Sequence, residues 1–473
     1  MLFKTLIVFG GILLFYIAAV YSKPRNSQFT ESTLAQQLQT VLDEGVNSQS
    51  IVGASAAVII PKLGVWSGTS GFSDPAASDT MRPDMLLGIG SITKTFTAAL
   101  TLQLFEEERL DLDDSIYHYL PKIPYIDSTI TIRQLLNHTS GIFDIAESKA
   151  LEDSNNSNPD RYWTSEEILE KFMGPPYFEP GSNWGYSNTN YIVLGKICEE
   201  VTHSKISVEF RDRFYNPFKL SNTFLAVEDT LKGLVAHSWV DIDNDEVLED
   251  ISNIPKTAGY STAWAGGAIL STAENIARWT KYLFEEDVLN RRTLDEMLDF
   301  HQLNNFIPYY TGCGLGVWEL KFYDKELWGH GGGGLGYSAL TIYSPSDSII
   351  VTVLVNQNAS VADIAANLLD AASNYTTGIK DNINKSLQFE LKQNFPNPFN
   401  PTTSISFSIP RESYVCLKIF DCLGRELRTL VSENKKEGSY TVKFNASNLS
   451  TGVYFYQIKA DNFISIKKML FLK

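Results

Sequence analysis

Cysteine and histidine are scarce in this chain, which has four cysteines and six histidines among 473 residues. Cys198, Cys313, Cys416 and Cys422 do not form the dense framework that staples small secreted domains. We expect mostly free, packed thiols, with Cys416 and Cys422 close enough in sequence to pair. No Cys-x-x-Cys motif or His/Cys cluster occurs, so the sequence predicts no metal site.

Positive charge is also in short supply over most of the chain. The formal net charge is −16, although residues 388–473 hold 12 lysines and arginines against 7 aspartates and glutamates. The acidic excess therefore lies in the main body, whereas nucleic-acid binding requires a basic face, and we expect no nucleic-acid partner. A hydrophobic content of 44% with 20% charged residues is typical of globular proteins, and the length predicts two or more domains.

Long apolar runs are absent except at the N-terminus. Residues 6–20 are apolar, follow Lys4 and precede the small residue Ser22. This arrangement predicts a secretory signal peptide over residues 1–22. The run is shorter than the ~20 apolar residues of a membrane span, so we expect no stable transmembrane span after cleavage.

The remaining chain has two parts with different patterns. Residues 30–378 mix helical and strand patterns: "STLAQQLQTVLDEGV" has helical spacing, and "SAAVIIPKLGVWSGTSGFS" predicts two strands joined by a turn. A polar segment, 379–388, is the predicted linker. Residues 389–473 alternate polar and apolar positions between turn residues, which predicts a small antiparallel β-sandwich. The prolines of "NFPNPFNPTT" predict an extended entry segment.

A serine and a lysine stand at the start of the apolar run "GIGSITKTFTAALTLQLF", residues 88–105. On a helix, Ser91 and Lys94 would share one face. Burial lowers the pKa of a lysine from its usual ~10.4, so a neutral amine could take the proton of Ser91. The spacing alone is weak evidence, because Ser-x-x-Lys occurs three times in the chain. By itself it is better explained by a helix-capping serine and a lysine that reaches the surface.

A second motif, Tyr186-Ser187-Asn188, lies in "FEPGSNWGYSNTNYIVLG", residues 178–195. It follows a Pro-Gly turn and precedes an apolar helical run. A tyrosine in such a loop can relay a proton, and an asparagine amide can hold a substrate carbonyl. An ordinary turn, in which the asparagine forms local hydrogen bonds, explains the motif equally well.

A third motif, His330 followed by four glycines, lies in "LWGHGGGGLGYSALTIYS", residues 327–344. Glycines in a strand often mark the close approach of a ligand or another backbone. A phosphate-binding loop would need a following Gly-Lys-Ser/Thr, which is absent. Taken alone, His330 is also explained as a hydrogen-bonded core histidine.

Together and in this order, the three motifs resemble those of the penicillin-recognising serine hydrolases, whose sister form carries Ser-x-x-Lys, Ser-Asp-Asn and Lys-Thr-Gly. The tyrosine version is similar to the class C β-lactamases and the related D-alanyl-D-alanine carboxypeptidases, over roughly residues 30–375. The resemblance implies an α+β fold, in which an antiparallel sheet flanked by helices joins an all-helical region. The active site would lie at their junction. It also implies hydrolysis of peptide, amide or ester bonds, of the D-alanyl-D-alanine carboxypeptidase or β-lactamase type, through a covalent acyl-enzyme that needs no cofactor.

The resemblance implies a role for each residue of the first two motifs. Ser91 would be the nucleophile and Lys94 the base that activates it. Tyr186 would pass the proton to the leaving group and later activate water. Asn188 would hold the amide carbonyl of the substrate.

The third motif departs from the family pattern. His330 takes the place of the usual lysine or histidine, Gly332 is the motif's glycine, and the Gly333 N–H would complete an oxyanion hole with the Ser91 N–H. Gly331 stands where the family usually has Thr or Ser, whose hydroxyl helps to bind a substrate carboxylate. The departure argues against β-lactam and D-Ala-D-Ala substrates, and relatives with such changes include esterases and D-amino-acid amidases.

Two other functions stay open at this point. The same scaffold could serve an esterase or a D-amino-acid amidase, since these use the same acyl-enzyme. A non-catalytic surface binding protein is disfavoured, because a degenerate site usually loses one of the three residues that are all present here, Ser91, Lys94 and Tyr186.

The tail carries a resemblance of its own. "NFPNPFNPTT", "SNLSTGVYFYQI" and the terminal "KKMLFLK" look like the C-terminal sorting domain of the type IX secretion system. The resemblance covers residues 389–473 and implies transit through the periplasm, then delivery to the cell surface or the exterior by that machinery. The alternative is a β-sandwich that only aids adhesion or stability.

Overall fold

The computed structural model describes residues 32–243, 245–285, 287–307, 309–381 and 389–472. The predicted signal peptide and most of the predicted linker lie outside these ranges. Within them, no helix combines the length and the hydrophobicity needed to cross a membrane. All four cysteines are free, and Cys198 and Cys313 are buried.

Fourteen strands precede the tail in the described ranges. They are β1 (Gly53–Ile60), β2 (Gly64–Asp74), β3 (Asp79–Thr80), β4 (Leu87–Gly88), β5 (Thr223–Leu225), β6 (Trp239–Val240), β7 (Glu249–Asp250), β8 (Ile269–Ser271), β9 (His301–Ile307), β10 (Tyr310–Cys313), β11 (Trp318–Phe322), β12 (Lys325–Gly334), β13 (Tyr337–Ser344) and β14 (Ile349–Val355). Nine of them form the main antiparallel sheet in the order β3-β2-β1-β14-β13-β12-β11-β10-β9. β1 and β14 are buried along their whole length, as their continuous apolar sequences predict.

Eleven helices surround this sheet in the described ranges. They are α1 (Ser32–Ser48), α2 (Thr93–Glu106), α3 (Ile132–Leu136), α4 (Lys149–Ser157), α5 (Ser165–Lys171), α6 (Thr189–Thr202), α7 (Ile206–Phe210), α8 (Thr257–Gly267), α9 (Ala273–Phe284), α10 (Arg291–Met297) and α11 (Ala362–Asp381). α1 and α11 cover one face of the sheet, and α9 packs on the other. Helices α2 to α8 form a mostly helical region beside it. This arrangement confirms the predicted α+β fold.

Helix α2 occupies the centre of the helical region. Its residues from Thr93 to Leu102 are all buried, because α6 packs on one side and α8 on another. Phe96 stacks on Trp279 of α9 with ring centroids 3.9 Å apart. The helix is therefore anchored both to its neighbours and to the sheet layer.

The tail forms two antiparallel sheets that pack face to face. Its strands are β15 (Glu390–Leu391), β16 (Thr402–Ile409), β17 (Ser413–Phe420), β18 (Glu426–Lys435), β19 (Gly438–Asn445), β20 (Gly452–Ala460) and β21 (Phe463–Phe471). One sheet has the order β15-β16-β19 and the other β18-β17-β20-β21. Alternate apolar side chains of both sheets fill a separate core. The predicted β-sandwich is therefore confirmed.

The entry segment of the tail contacts the main body. The Phe395 ring lies 5.1 Å from the rings of both Phe322 and Tyr323, measured between centroids. Lys392 also forms an ion pair with Asp370 of α11, at 3.6 Å. The tail core itself shares no residue with the two cores of the body in the described ranges.

Candidate active site

Ser91 lies in a single 3₁₀ turn, Gly90–Ile92, between β4 and α2. The turn is pressed against the glycine-rich strand β12. A Cβ atom on Gly90, whose φ is +49°, would lie 2.4 Å from the Gly333 nitrogen. A Cβ atom on Gly332 would lie 2.0 Å from the Ile89 carbonyl oxygen. Both positions require glycine, and the close approach sets Ser91 beside the end of β12.

Lys94 lies in the first turn of α2 and is completely buried. Its Nζ is 3.0 Å from Ser91 Oγ, 2.8 Å from Asn188 Oδ1 and 2.8 Å from the Gly266 carbonyl oxygen. Burial lowers the pKa of Lys94 to about 7, against the opposing effect of the Asp144 carboxylate. The amine is therefore poised to exchange a proton near neutral pH.

The Gly266 carbonyl reaches Lys94 because α8 is kinked. Trp264 has φ 32° and ψ −120°, outside the helical region, and the chain turns there before Gly266. The Trp264 indole N–H donates to Glu228, which fixes the kink. A positive φ on a bulky residue such as Trp264 raises the free energy of the folded state. Strain of this kind is found mainly at functional sites.

Tyr186 contacts the same serine from the opposite side. Its hydroxyl donates to Ser91 Oγ at 2.8 Å, although the two residues are 95 positions apart in the chain. Burial raises the pKa of Tyr186 above its usual value, so the phenol stays protonated. The Lys94 Nζ lies 5.0 Å from the centroid of its ring. Ser91 Oγ is thus held between an amine and a phenol.

Asn188 is fixed by contacts at both ends of its amide. Its oxygen accepts from Lys94, and its Nδ2 donates to the Asp144 carboxylate at 3.0 and 3.3 Å. Asp144 is buried and also accepts from the Ala146 N–H at the start of a 3₁₀ turn. Burial raises the pKa of Asp144, and the bonds that it accepts oppose the rise. None of the three sequence motifs includes Asp144.

His138 and Ser140 hold the Tyr-x-Asn loop in place. His138 Nδ1 accepts from the Ser187 N–H at 3.2 Å and lies 3.1 Å from Asn190 Nδ2. Ser140 Oγ donates to Asn190 Oδ1 at 2.7 Å. The His138 ring packs against Tyr186 with centroids 4.4 Å apart. Both side chains are buried and bonded to the loop, so they hold it in position.

His330 lies beside this group but is bonded within the protein. Its Nε2 accepts from the Trp318 indole N–H at 2.9 Å, and its Nδ1 lies 2.5 Å from the Gly331 carbonyl oxygen. Burial, with a smaller effect of the Lys94 charge, lowers the pKa of His330 to about 3. The ring is therefore neutral, and it can bind a substrate only by giving up one of these bonds.

An aromatic group borders the site on the side of the main sheet. Trp318 lies 6.0 Å from Tyr186, 5.8 Å from Trp184 and 4.9 Å from Tyr310, measured between ring centroids. No motif in the sequence pointed to Trp318 or Tyr310. They reach the site because β10 and β11 lie next to β12 in the sheet.

Comparison with known sequences identifies two family segments. Residues 38–374 match the β-lactamase family, and residues 393–472 match the secretion system C-terminal sorting domain. The protein flp of Staphylococcus aureus (strain MW2) is 25% identical over 335 residues, which are 68% of this chain and 63% of that protein. Penicillin-binding protein 4* of Bacillus subtilis (strain 168) is 26% identical over 58% of this chain and 61% of that protein. The chain thus spans less than two thirds of these relatives.

Solved structures share the fold of the main body. D-amino acid amidase from Ochrobactrum anthropi SV3 superposes with a TM-score of 0.66 and 26% identity, over 73% of this chain and 100% of that one. A D-stereospecific amidohydrolase from Streptomyces sp. gives a TM-score of 0.62 and 29% identity, over 72% and 98%. The penicillin-binding protein homologue from Pyrococcus abyssi, at 21% identity and a TM-score of 0.63, shows the same fold over 93% of this chain and 96% of that one.

Proposed function

Because the chain belongs to the β-lactamase family, we propose that it is an exported serine hydrolase that forms a covalent acyl-enzyme on Ser91. The observation that carries the proposal is the position of Ser91 Oγ, 3.0 Å from Lys94 Nζ and 2.8 Å from the Tyr186 hydroxyl. A nucleophile within hydrogen-bond reach of a base, with the base itself oriented by further groups, is the arrangement that covalent catalysis requires. No cofactor takes part in these steps.

Lys94 is the proposed base in its neutral form. A neutral amine has two N–H groups and one lone pair. The Asn188 and Gly266 oxygens accept the two N–H groups, so the lone pair faces the Ser91 hydroxyl. With a pKa of about 7, a large share of the amine is neutral at physiological pH. Ser91 then donates to Lys94 and accepts from Tyr186.

Tyr186 is the proposed proton relay to the leaving group. A tyrosine whose pKa is raised is a poor general base, which favours Lys94 for the first proton transfer. After Ser91 attacks the carbonyl, Lys94 holds the serine proton. Tyr186 gives its own proton to the leaving group and is reprotonated from Lys94. In deacylation, a water molecule takes the place of the leaving group and attacks the ester carbonyl. Its proton passes to Tyr186 as Tyr186 passes its own to Lys94, and Lys94 returns a proton to the Ser91 oxygen as the acid is released.

The backbone N–H groups of Ser91 and Gly333 are the proposed oxyanion hole. Ser91 lies in the 3₁₀ turn that leads into α2, and a backbone N–H at the start of such a turn has no partner within the helix. Gly333 lies against Gly90, one residue away from the nucleophile. Two such donors stabilise the negative charge that develops on the carbonyl oxygen in the transition state.

The proposed substrates are amides and esters without a free carboxylate next to the scissile bond. Gly331 supplies no hydroxyl for such a carboxylate, and the neutral His330 supplies no charge. The likeness to a D-amino acid amidase and a D-stereospecific amidohydrolase supports amides of D-amino acids among these. The likeness to penicillin-binding protein 4* supports a carboxypeptidase or β-lactamase as the second candidate.

A panel of substrates separates these candidates. We expect kcat/KM to be higher for a D-phenylalanine p-nitroanilide and a p-nitrophenyl ester than for a chromogenic cephalosporin and a D-Ala-D-Ala peptide. The L-phenylalanine p-nitroanilide serves as the matched control for stereochemistry. Faster hydrolysis of the cephalosporin or the D-Ala-D-Ala peptide than of the neutral substrates would favour the second candidate.

We propose that the N-terminal and C-terminal segments of the chain direct its export. The match to a secretion sorting domain indicates export, and we extend it to transit through the periplasm and delivery to the surface or the exterior by the type IX machinery. The signal peptide over residues 1–22 would start this route. The proposed boundaries are 30–378 for the hydrolase, 379–388 for the linker and 389–473 for the sorting domain.

A further inference from the structure

The side chain that the third motif lacks has a substitute from another strand. A Cβ atom built on Gly331 would lie 2.5 Å from the Tyr310 hydroxyl oxygen. The next nearest atoms, the Ala339 carbonyl oxygen and a Leu340 methyl, are 3.7 and 3.8 Å away, which is ordinary contact. The phenol oxygen is therefore the only obstacle near that point in the described residues. It lies 2.5 Å from the point where a threonine or serine side chain would begin, which is too close for such a side chain to fit without a shift of the phenol.

A β-bulge directs Tyr310 toward this place. In the pairing of β10 with β11, Tyr310 lies opposite Leu320 and the next paired residue is Gly312, so the register shifts between them. The pairing of β10 with β9 shifts at the same point. Bulges increase the local twist and redirect side chains, often next to active sites.

The ring of Tyr310 is held rigidly by its neighbours. It meets Trp318 edge-on, with centroids 4.9 Å apart and planes at 67°, and Trp318 donates in turn to His330. Tyr309 packs on the other side at 4.9 Å. A fixed hydroxyl on a rigid strand loses little entropy when it binds a ligand.

The Tyr310 hydroxyl is a neutral donor with a free hydrogen. Burial raises its pKa above the usual value, while a hydrogen bond from the Gly331 backbone opposes the rise. In the part of the chain that the structure describes, no acceptor takes the Tyr310 O–H. The phenol oxygen is thus oriented by the third-motif strand, and its proton remains available.

We propose that Tyr310 is a substrate-binding residue whose hydroxyl replaces the one missing at Gly331 and donates to an uncharged carbonyl of the leaving group. The proposal rests on the proposed function, since it assumes acylation of Ser91. A carboxylate is a poor ligand here, because burying it requires a paired charge, and neither Tyr310 nor His330 carries one. A carboxamide or ester carbonyl is satisfied by a single neutral donor.

The test uses three esters that share an acetyl-D-alanyl group and differ only in the alcohol: glycolamide, glycolic acid and ethanol. Because all three give the same acyl-enzyme, differences in kcat/KM report acylation and leaving-group binding. For the wild type we expect glycolamide to exceed glycolic acid. Tyr310→Phe should lower kcat/KM for the glycolamide ester about two- to tenfold, the loss of one neutral hydrogen bond, and leave the ethyl ester unchanged.

Tyr309→Phe is the matched control, because it removes a neighbouring phenol of the same cluster that does not contact Gly331. Tyr309→Phe should leave kcat/KM unchanged for both the glycolamide ester and the ethyl ester. The inference is overturned if Tyr310→Phe leaves the glycolamide-to-ethyl ratio at the wild-type value, or if Tyr309→Phe lowers that ratio equally.

A second variant moves the hydroxyl back to the third motif. Gly331→Ser alone should lower turnover of the glycolamide ester, because its Cβ collides with Tyr310. In the Tyr310→Phe background the phenol oxygen is gone, and the same change should restore part of the lost preference. A Gly331→Ser effect of equal size and sign in both backgrounds would count against the inference.

Labelling with a fluorophosphonate separates this inference from the proposed function. The reagent lacks the leaving-group carbonyl, so we expect equal labelling of Ser91 in the wild type, Tyr310→Phe and Tyr309→Phe. Absence of labelling in the wild type would refute the serine hydrolase itself. Equal labelling with unchanged ester ratios would refute only the role of Tyr310.

Discussion

The two walls of the site are built on different principles. The nucleophile wall, formed by Ser91, Lys94, Tyr186 and Asn188, is a chain of side-chain hydrogen bonds of 2.8 to 3.0 Å. The glycine wall, His330–Gly334 with Tyr310, contributes backbone groups and a single tyrosine hydroxyl. The first wall holds the residues to which the family resemblance assigns the chemistry, whereas the second differs at Gly331 from the pattern that the resemblance implies. We therefore propose that the acyl-enzyme chemistry of the family is kept while the recognition of the leaving group differs.

The largest effect should follow from removing the nucleophile. Ser91→Ala deletes one hydroxyl and little packing, so the protein should stay folded while kcat falls on the order of 10⁴-fold or more. Steady-state assays with a neutral ester measure the loss, and circular dichroism checks the fold. Ser157→Ala, on the exposed surface of α4, is the matched control. Activity of Ser91→Ala above a tenth of the wild type would remove Ser91 from the mechanism.

The other members of the nucleophile wall should act as one unit. Lys94→Ala and Tyr186→Phe should each cost orders of magnitude in kcat, and the double variant should be little worse than the poorer single one. Residues on one proton path lose their function together. Multiplicative losses in the double-mutant cycle would show that the two side chains act independently.

The pH profile should report the amine of the nucleophile wall. Lys94 must be neutral to act as a base, so kcat/KM should rise with pH through about 7 and then level off. The Asp144 carboxylate raises the pKa of Lys94, so Asp144→Asn should move this limb to lower pH. If kcat/KM of Asp144→Asn rises over the same pH range as that of the wild type, a group other than Lys94 controls the profile.

Removal of the tail should have the smallest effect on turnover. The tail has its own core, and its described contacts with the body include Phe395, which packs in a core of the body, and the Lys392–Asp370 ion pair. Deletion of residues 388–473 should leave kcat/KM unchanged within about twofold, since separate domains share few contacts. The same deletion should retain the enzyme in the periplasm of a host with the secretion machinery. Undiminished surface delivery in cell fractionation would contradict the sorting role.

The sequence predicts the nucleophile wall better than the glycine wall, for a physical reason. Ser91 and Lys94 stand three positions apart, and Tyr186 and Asn188 two, so each pair forms a short motif by which the family resemblance could be recognised. Asp144 could not be singled out because its role depends on an amide that lies 44 positions away.

Tyr310 was equally hidden, because a bulge in β10 directs it to Gly331 and the alternation of residues does not show a bulge. The hydrogen bond that His330 accepts from Trp318 was hidden as well, because Trp318 comes from the neighbouring strand. The β-sandwich tail could be predicted from an alternation of polar and apolar residues repeated over many positions. The α+β fold of the main body was predicted from the resemblance of the three motifs to a known family.

The most direct test of the account is to trap the intermediate. The full chain would be mixed with a neutral acetyl-D-alanyl ester, quenched in acid during turnover, digested and mapped by mass spectrometry. We predict an added acetyl-D-alanyl group on the peptide that contains Ser91, and none in Ser91→Ala. Continued turnover without an adduct, or an adduct on a different residue, would contradict the proposed acyl-enzyme.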